Sequence, residues 1–184
     1  MKKILTICGS TRKDSVNSHI LAFIVERYAS RALFTLYEGI DRLPHFNPDL
    51  DRDPLPETVL HFRGLIGEAD GVLICTPEYV FSLPGSFKNA IEWTVSTTLF
   101  TNKPAALITA SSSGQKAQEA LDLVMKTVGV QLGDKGSLLI SAPKTKISPD
   151  GQITDTATEK AICDLADDFI AVLDRIGPET TSKP

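Results

Sequence analysis

Ten residues near the start of the chain, Gly9-Ser10-Thr11-Arg12-Lys13-Asp14-Ser15-Val16-Asn17-Ser18, bring together the groups that an anion needs. Hydroxyls stand at Ser10, Thr11, Ser15 and Ser18, an amide at Asn17 and a guanidinium at Arg12. The stretch follows a strand-like run, Ile4 to Cys8, and precedes a helical apolar stripe of Ile20, Leu21, Ile24, Val25 and Tyr28. It therefore lies where the free N–H groups of a helix start favour negative charge. Many donors, one fixed cation and no bulky side chain suit a phosphate monoester. The same residues could also be an ordinary helix cap in a polar loop, and the stretch alone does not choose between the two.

A second stretch runs from Thr76 to Trp93. It begins where Gly71-Val72-Leu73-Ile74-Cys75, a run that reads as a strand buried on both faces, stops. Pro77 ends that strand because it cannot donate to a ladder. Pro84 can open a helix at its first position, where a missing N–H costs nothing. Phe87, Ala90, Ile91 and Thr94 then recur at helical spacing, with Lys88 and Glu92 outside. A short polar loop carrying Glu78, Tyr79 and Ser82 is thus pinned between strand and helix. A third hydroxyl-rich loop, Ser111-Ser112-Ser113-Gly114, follows the buried run Ala105 to Ala110.

Positioning these loops requires five strands alternating with five helices. Ala32 to Tyr37 reads as the second strand, and Glu57 to Ala69 as a helix with Val59, Leu60, Leu65 and Ile66 inward. Gln115 to Val128 is a helix, Leu138 to Ser141 the fifth strand, and Thr158 to Ile176 the last helix. Arg42 to Pro56 is too proline-broken for regular structure. Its Asp49, Asp51 and Asp53 alternate like the opening of a calcium loop, but Pro54 replaces the required glycine and Leu60 the bidentate Glu. A solvated acidic turn is the expectation there. The alternation predicts an α/β, three-layer, doubly wound parallel sheet of order 2-1-3-4-5, with residues 1–176 as one domain and 177–184 as a flexible tail. Three polar loops then meet at one crevice at the carboxyl ends of the strands.

The two stretches together resemble the NADPH-dependent FMN reductase family, the flavodoxin-like NAD(P)H:quinone or azo reductases. That family pairs Gly-Ser-x-Arg-x-x-Ser-x-Asn near its amino terminus with a Thr-Pro-Glu-Tyr-…-Pro-Gly-…-Lys-Asn-Ala-Ile-…-Trp block, here Gly9 to Asn17 and Thr76 to Trp93. Leu43-Pro44-His45-Phe46-Asn47-Pro48-Asp49 is similar to another loop of the same reductases. The resemblance implies a flavodoxin-like fold, bound FMN, and NADPH or NADH as co-substrate. It implies that Ser10, Arg12, Ser15, Asn17 and Ser18 hold the phosphate. Pro77, Glu78, Tyr79 and Ser82 would line the isoalloxazine, with Ser111, Ser112 and Gly114 approaching from the other side. The acceptor would be a quinone, azo, nitro or flavin compound in a ping-pong cycle, and the assembly a homodimer or homotetramer. The hydride chemistry belongs to the flavin, so no protein acid or base and no metal is expected.

Individual residues keep plainer readings. Tyr79 could simply pack the loop, and Glu78 could be a solvent or subunit-interface carboxylate. Trp93 and Phe87 read as core or interface aromatics, Lys88 and Asn89 as helix-packing or subunit-contact residues. His19, His45 and His61 share no metal-like spacing. Two departures from the family pattern stand out. Val80 occupies a position that is often Asn, and the Ser111–Gly114 loop is short.

Bulk properties narrow the alternatives. The chain has 184 residues, a formal net charge of -4 and no large basic cluster, which argues against a nucleic-acid surface. No dinucleotide fingerprint, Walker loop or nucleophile elbow occurs, and the first loop offers hydroxyls where a pyrophosphate binder would offer glycines. Three cysteines without close spacing give neither a disulfide framework nor a zinc site. No stretch approaches the roughly 18 apolar residues of a membrane span, so a cytoplasmic protein is expected. A non-enzymatic flavin carrier or redox-sensing partner is the competing class, but such carriers tend to be strongly acidic, and this chain is only mildly so.

Overall fold

The run Gly71–Thr76 can tolerate burial on both faces, and every one of its residues is buried. It forms the middle of the sheet. The computed structural model of the protein describes residues 1–176. Five parallel strands pair in the order β2-β1-β3-β4-β5: β1 (Lys2–Cys8), β2 (Ala32–Tyr37), β3 (Gly71–Thr76), β4 (Pro104–Ser111) and β5 (Gln131–Ser141). The helices between them are α1 (Val16–Tyr28), α2 (Glu57–Glu68), α3 (Gly85–Glu92), α4 (Gln115–Thr127) and α5 (Thr156–Arg175). This is the flavodoxin-like sheet order that the alternation of elements predicts.

Successive strand residues point to opposite faces, so each central strand feeds two cores. Leu5, Ile74 and Leu107 join Phe62, Phe87, Trp93 and Leu121 on one side. Ile4, Leu73 and Ile108 join Leu21, Ile24, Leu165 and Phe169 on the other. Trp93 and Phe87 are therefore core aromatics, 0% and 1% exposed.

Several expectations shift. Leu60 is exposed, and Phe62 takes the inward place with Val59 and Ile66, because those three share one face at helical spacing. Pro84 caps α3 from outside rather than occupying its first turn, with φ -54 and ψ 137. β5 begins at Gln131 rather than Leu138, and its pairing with β4 slips between Ala105 and Leu107. The 177–184 tail lies outside the described residues.

The 42–56 loop has one turn of 3₁₀ helix, Pro48–Leu50, and is fastened rather than solvated. Phe46 N donates to Asn89 Oδ1 at 2.7 Å, while Asn89 Nδ2 and Trp93 Nε1 both donate to Pro44 O, at 2.9 and 2.7 Å. Phe46 meets Trp93 edge-on, with ring centroids 5.1 Å apart. Asp51 is drawn in as well, to an ion pair with Arg63 at 2.6 Å. Asn89 is thus a clamp between α3 and the loop before α2.

Candidate functional site

The loops after β1, β3, β4 and β5 enclose a cavity of about 310 Å³ at the carboxyl ends of the strands. A larger one, about 470 Å³, lies at the other end of the sheet, near Lys2, Asp70 and Lys103. There Lys2 Nζ and Lys103 Nζ donate to backbone carbonyls of Ile176 and Ala69, so chain atoms already occupy both ammonium groups. The smaller cavity holds the chemistry-bearing loops.

From the first loop, Ser10, Arg12, Ser15 and Asn17 line it. β1 ends at Cys8, and the chain turns at Gly9, whose N–H still donates to Cys75 O at 2.8 Å. Ser15 then caps α1: its Oγ accepts from Ser18 N at 3.0 Å, and Ser18 Oγ accepts from Ser15 N at 3.1 Å. This reciprocal box places Ser18 on the helix and off the cavity wall. Ser15 Oγ satisfies one first-turn N–H, and helix geometry leaves those of Val16 and Asn17 for a ligand. Ser10, Ser15 and Asn17 are 8%, 5% and 4% exposed, so their polar atoms are held in the loop rather than spread in solvent.

Asn17 ties three elements. Its Nδ2 donates to Ala110 O at 3.3 Å, and Cys75 Sγ donates to its Oδ1 at 3.2 Å. Burial pushes the Cys75 thiol well up, and Cys8 beside it adds to the rise. Burial also raises the Cys8 thiol, more than hydrogen bonds from Ser10 and Ser15 lower it. Both sulfurs are therefore protonated at neutral pH and act as packing groups, not nucleophiles.

Pro77 and Tyr79 supply the wall from the second loop, Ser111 and Ser112 that from the third. Glu78 turns away. Its Oε2 accepts from Ala117 N at 3.0 Å, in the first turn of α4. The N-cap of that helix is Gly114, with φ 84 and no side chain to do the capping, so Glu78 supplies the missing acceptor. Gly114 itself lies behind the wall, where an added Cβ would come within 2.7 Å of Leu139. Ser82 is also off the wall: Tyr79 and Ser82 exchange both backbone hydrogen bonds, at 2.9 and 3.0 Å. Between them Val80 and Phe81 take φ 51 and 56, a mirror-type two-residue turn usually built from Asn and Gly. Removing the cap should be measurable. Glu78→Ala is expected to lower stability by about 1 kcal/mol and to loosen the loop carrying Tyr79, while Glu78→Gln, which keeps an acceptor oxygen, loses less. Urea denaturation of the two variants checks this.

The fourth wall was not readable from the sequence. Ala142, Pro143, Lys144 and Thr145, just past β5, complete the cavity beside Val16 and Ala110. Their only sequence signal is position, since each other strand of the central set also ends in a site loop. No carboxylate lines the cavity, and Arg12 and Lys144 are cations without an ion pair among the described residues. His45 and His61 are exposed, and His19 is taken by Asp14 at 2.7 Å.

A phosphate with an attached flat ring fits this donor set. The hydroxyls, the amide and Arg12 line the cavity beside the open first-turn N–H groups of α1, together with Pro77 and Tyr79.

Residues 2–143 match the protein family described as NADPH-dependent FMN reductase. The chain belongs to that family. A 2-hydroxy-1,4-benzoquinone reductase from a Burkholderia species is 32% identical over 92% of this chain and 94% of its own. An NAD(P)H-dependent FMN reductase of Pseudomonas aeruginosa is 31% identical over 87% of this chain and 89% of its own. Among solved structures, the flavoenzyme NAD(P)H:(acceptor) oxidoreductase FerB from Paracoccus denitrificans superposes with a TM-score of 0.83. It is 32% identical, and the match covers 95% of this chain and 98% of that one. As a member of the FMN reductase family, the protein is an NAD(P)H-dependent oxidoreductase that uses FMN.

Proposed function

We propose that the 310 Å³ cavity is the FMN site and that the protein passes reducing equivalents from NADPH or NADH to a quinone, azo, nitro or flavin acceptor. The observation that carries this reading is the convergence of Ser10, Arg12, Ser15 and Asn17 with Pro77, Tyr79, Ser111 and Ser112 around one cavity without a carboxylate. When bound, FMN supplies hydride acceptance and donation. The chain's own part is to bind, orient and exclude. Ser10, Ser15, Asn17 and Arg12 hold the phosphate, and Pro77 and Tyr79 hold one edge of the ring. The protonated thiols beneath offer no competing nucleophile. No histidine or carboxylate of the described residues lines the cavity wall, which suits donor and acceptor taking the same open mouth in turn, a ping-pong cycle. The quinone acceptor is supported by the Burkholderia relative's name.

The protein is further read as a homodimer or homotetramer. Val80 and Phe81, 95% and 76% exposed, are held at the tip of a left-handed turn beside the site, an apolar surface that a second copy would cover. No helix among the described residues is long and apolar enough to cross a membrane. A cytoplasmic site of action is proposed with the function.

The test is the visible spectrum after FMN addition and desalting, followed by anaerobic NADPH and then NADH. Retained yellow colour that either nucleotide bleaches is expected. Colour that neither bleaches would instead mark an electron carrier. Arg12→Ala should weaken FMN binding about tenfold, the value of one charge-assisted hydrogen bond, as read by quenching of flavin fluorescence.

A further inference from the structure

A second cavity, of about 360 Å³, opens beside the first and shares Arg12, Val16 and Lys144 with it. Its far walls include His19 on α1 and Ser148 in the loop between β5 and α5. That loop is fixed. Ala142 N donates to Ser111 O and Ser112 O, Ile147 N donates to Pro143 O, and Ser148 and Gln152 close a turn with three hydrogen bonds. Ile147 anchors it in the core at 3% exposure. Lys144 therefore stands, with Arg12, in the wall that the two cavities share. Among the described residues Asp14 alone brings a carboxylate to the second cavity, and it is already engaged by His19 Nε2 at 2.7 Å. The other ring nitrogen, Nδ1, is buried against the turn at Gly151.

We propose that this second cavity seats a phosphate of the nicotinamide dinucleotide donor. The phosphate pairs with Lys144 and Arg12. Two cations that have no ion pair among the described residues stand at the junction and match such a group, and the shared wall lets one donor molecule span both cavities. Lys144 and Ser148 thereby become specificity residues for the donor. The inference rests on the first cavity being the flavin site. The family match ends at Pro143, and Lys144 and Ser148 lie beyond it.

The test uses FMN-loaded protein titrated with NADP⁺ and with NAD⁺ by isothermal calorimetry, and the apoprotein titrated with FMN. Lys144→Ala removes the cation. Ser148→Asp puts a carboxylate into the second cavity alone and keeps an acceptor for Gln152 N. Each is expected to weaken NADP⁺ binding about tenfold, with the FMN affinity of Ser148→Asp within about threefold of the parent. Loss for NADP⁺ alone places the 2′-phosphate there; equal loss for both nucleotides places the pyrophosphate, and either result supports the site. Unchanged nucleotide binding in both variants overturns it, as does a loss of FMN affinity in Ser148→Asp that matches the nucleotide loss. A parent chain that takes up no FMN overturns the flavin reading first, before any variant is made.

Discussion

Arg63→Met is expected to lower the unfolding free energy by about 3 kcal/mol at neutral pH, with the deficit shrinking below about pH 4. The Arg63 and Asp51 side chains are only 12% and 7% exposed. Arg63 Nε also donates to Trp93 O at 2.7 Å and its NH2 to Ser96 Oγ at 3.2 Å, so one guanidinium joins the 42–56 loop, α2 and the end of α3. Burial pushes the Asp51 carboxyl up. Hydrogen bonds from Ser96 and Arg63, and the Arg63 charge, outweigh that and hold it below its usual value. A carboxyl held low in the folded state stabilises fully above its unfolded value of about 3.9, and the contribution is lost as pH falls through the lower folded value. In Arg63→Met the carboxylate stays covered without its cation, so acid relieves the variant while it weakens the parent. Denaturant unfolding at the two pH values measures the gap. Asp51→Asn added to Arg63→Met should recover part of the loss. A double variant no more stable than Arg63→Met alone would show that the abandoned carboxylate is not the source.

Gly9→Ala is expected to reduce stability by about 2 to 3 kcal/mol and to weaken FMN binding more than Arg12→Ala does. A Cβ at Gly9 would stand 2.2 Å from Thr76 Oγ1, 2.6 Å from Thr76 Cβ and 3.1 Å from Thr76 Cα. Thr76 is fully buried at the end of β3 and cannot swing aside. The two strands must part where the Gly9 N–H meets Cys75 O, and the start of the loop that carries Ser10 and Arg12 moves with them. A fall of roughly 4 to 12 °C in melting temperature follows from the size of the chain. Thermal unfolding and a flavin titration on one preparation check both halves. An unaltered melting point with unaltered FMN affinity would mean that Gly9 is not the close contact described.

What could be read from the sequence follows the range of the forces involved. β3 and β4 announce themselves as unbroken apolar runs, and the loops after β1, β3 and β4 through their hydroxyls and prolines. β5 does not, because an edge strand needs only one neighbour. Gly133, Asp134, Lys135 and Gly136 hide its first half, and there Asp168 Oδ2 accepts from Lys135 N at 2.9 Å. Asp51 looks solvated until Arg63 is brought beside it. Glu78 looks like a site carboxylate until α4 proves to begin at a glycine with nothing to cap it. Ser18 has the right chemistry for a phosphate but is used by its own helix. Lys144 carries no local pattern at all, since its place over the cavity is set by β4–β5 pairing and by the turn that returns the chain to α5.

Asn17 has a consequence in time. Among the described residues its side chain bonds Cys75 and Ala110, 58 and 93 residues further along. During synthesis, which proceeds at about 5 to 20 residues per second, the first loop is made early but has no floor until the third and fourth strands of the sequence have been delivered beneath it. Contacts of such long range form late in folding, after loop closure has been overcome. Flavin capture at the proposed site by a ribosome-bound chain would accordingly switch on only once β5 and the loop after it have cleared the exit tunnel, making the yellow colour a clock for completion of the sheet.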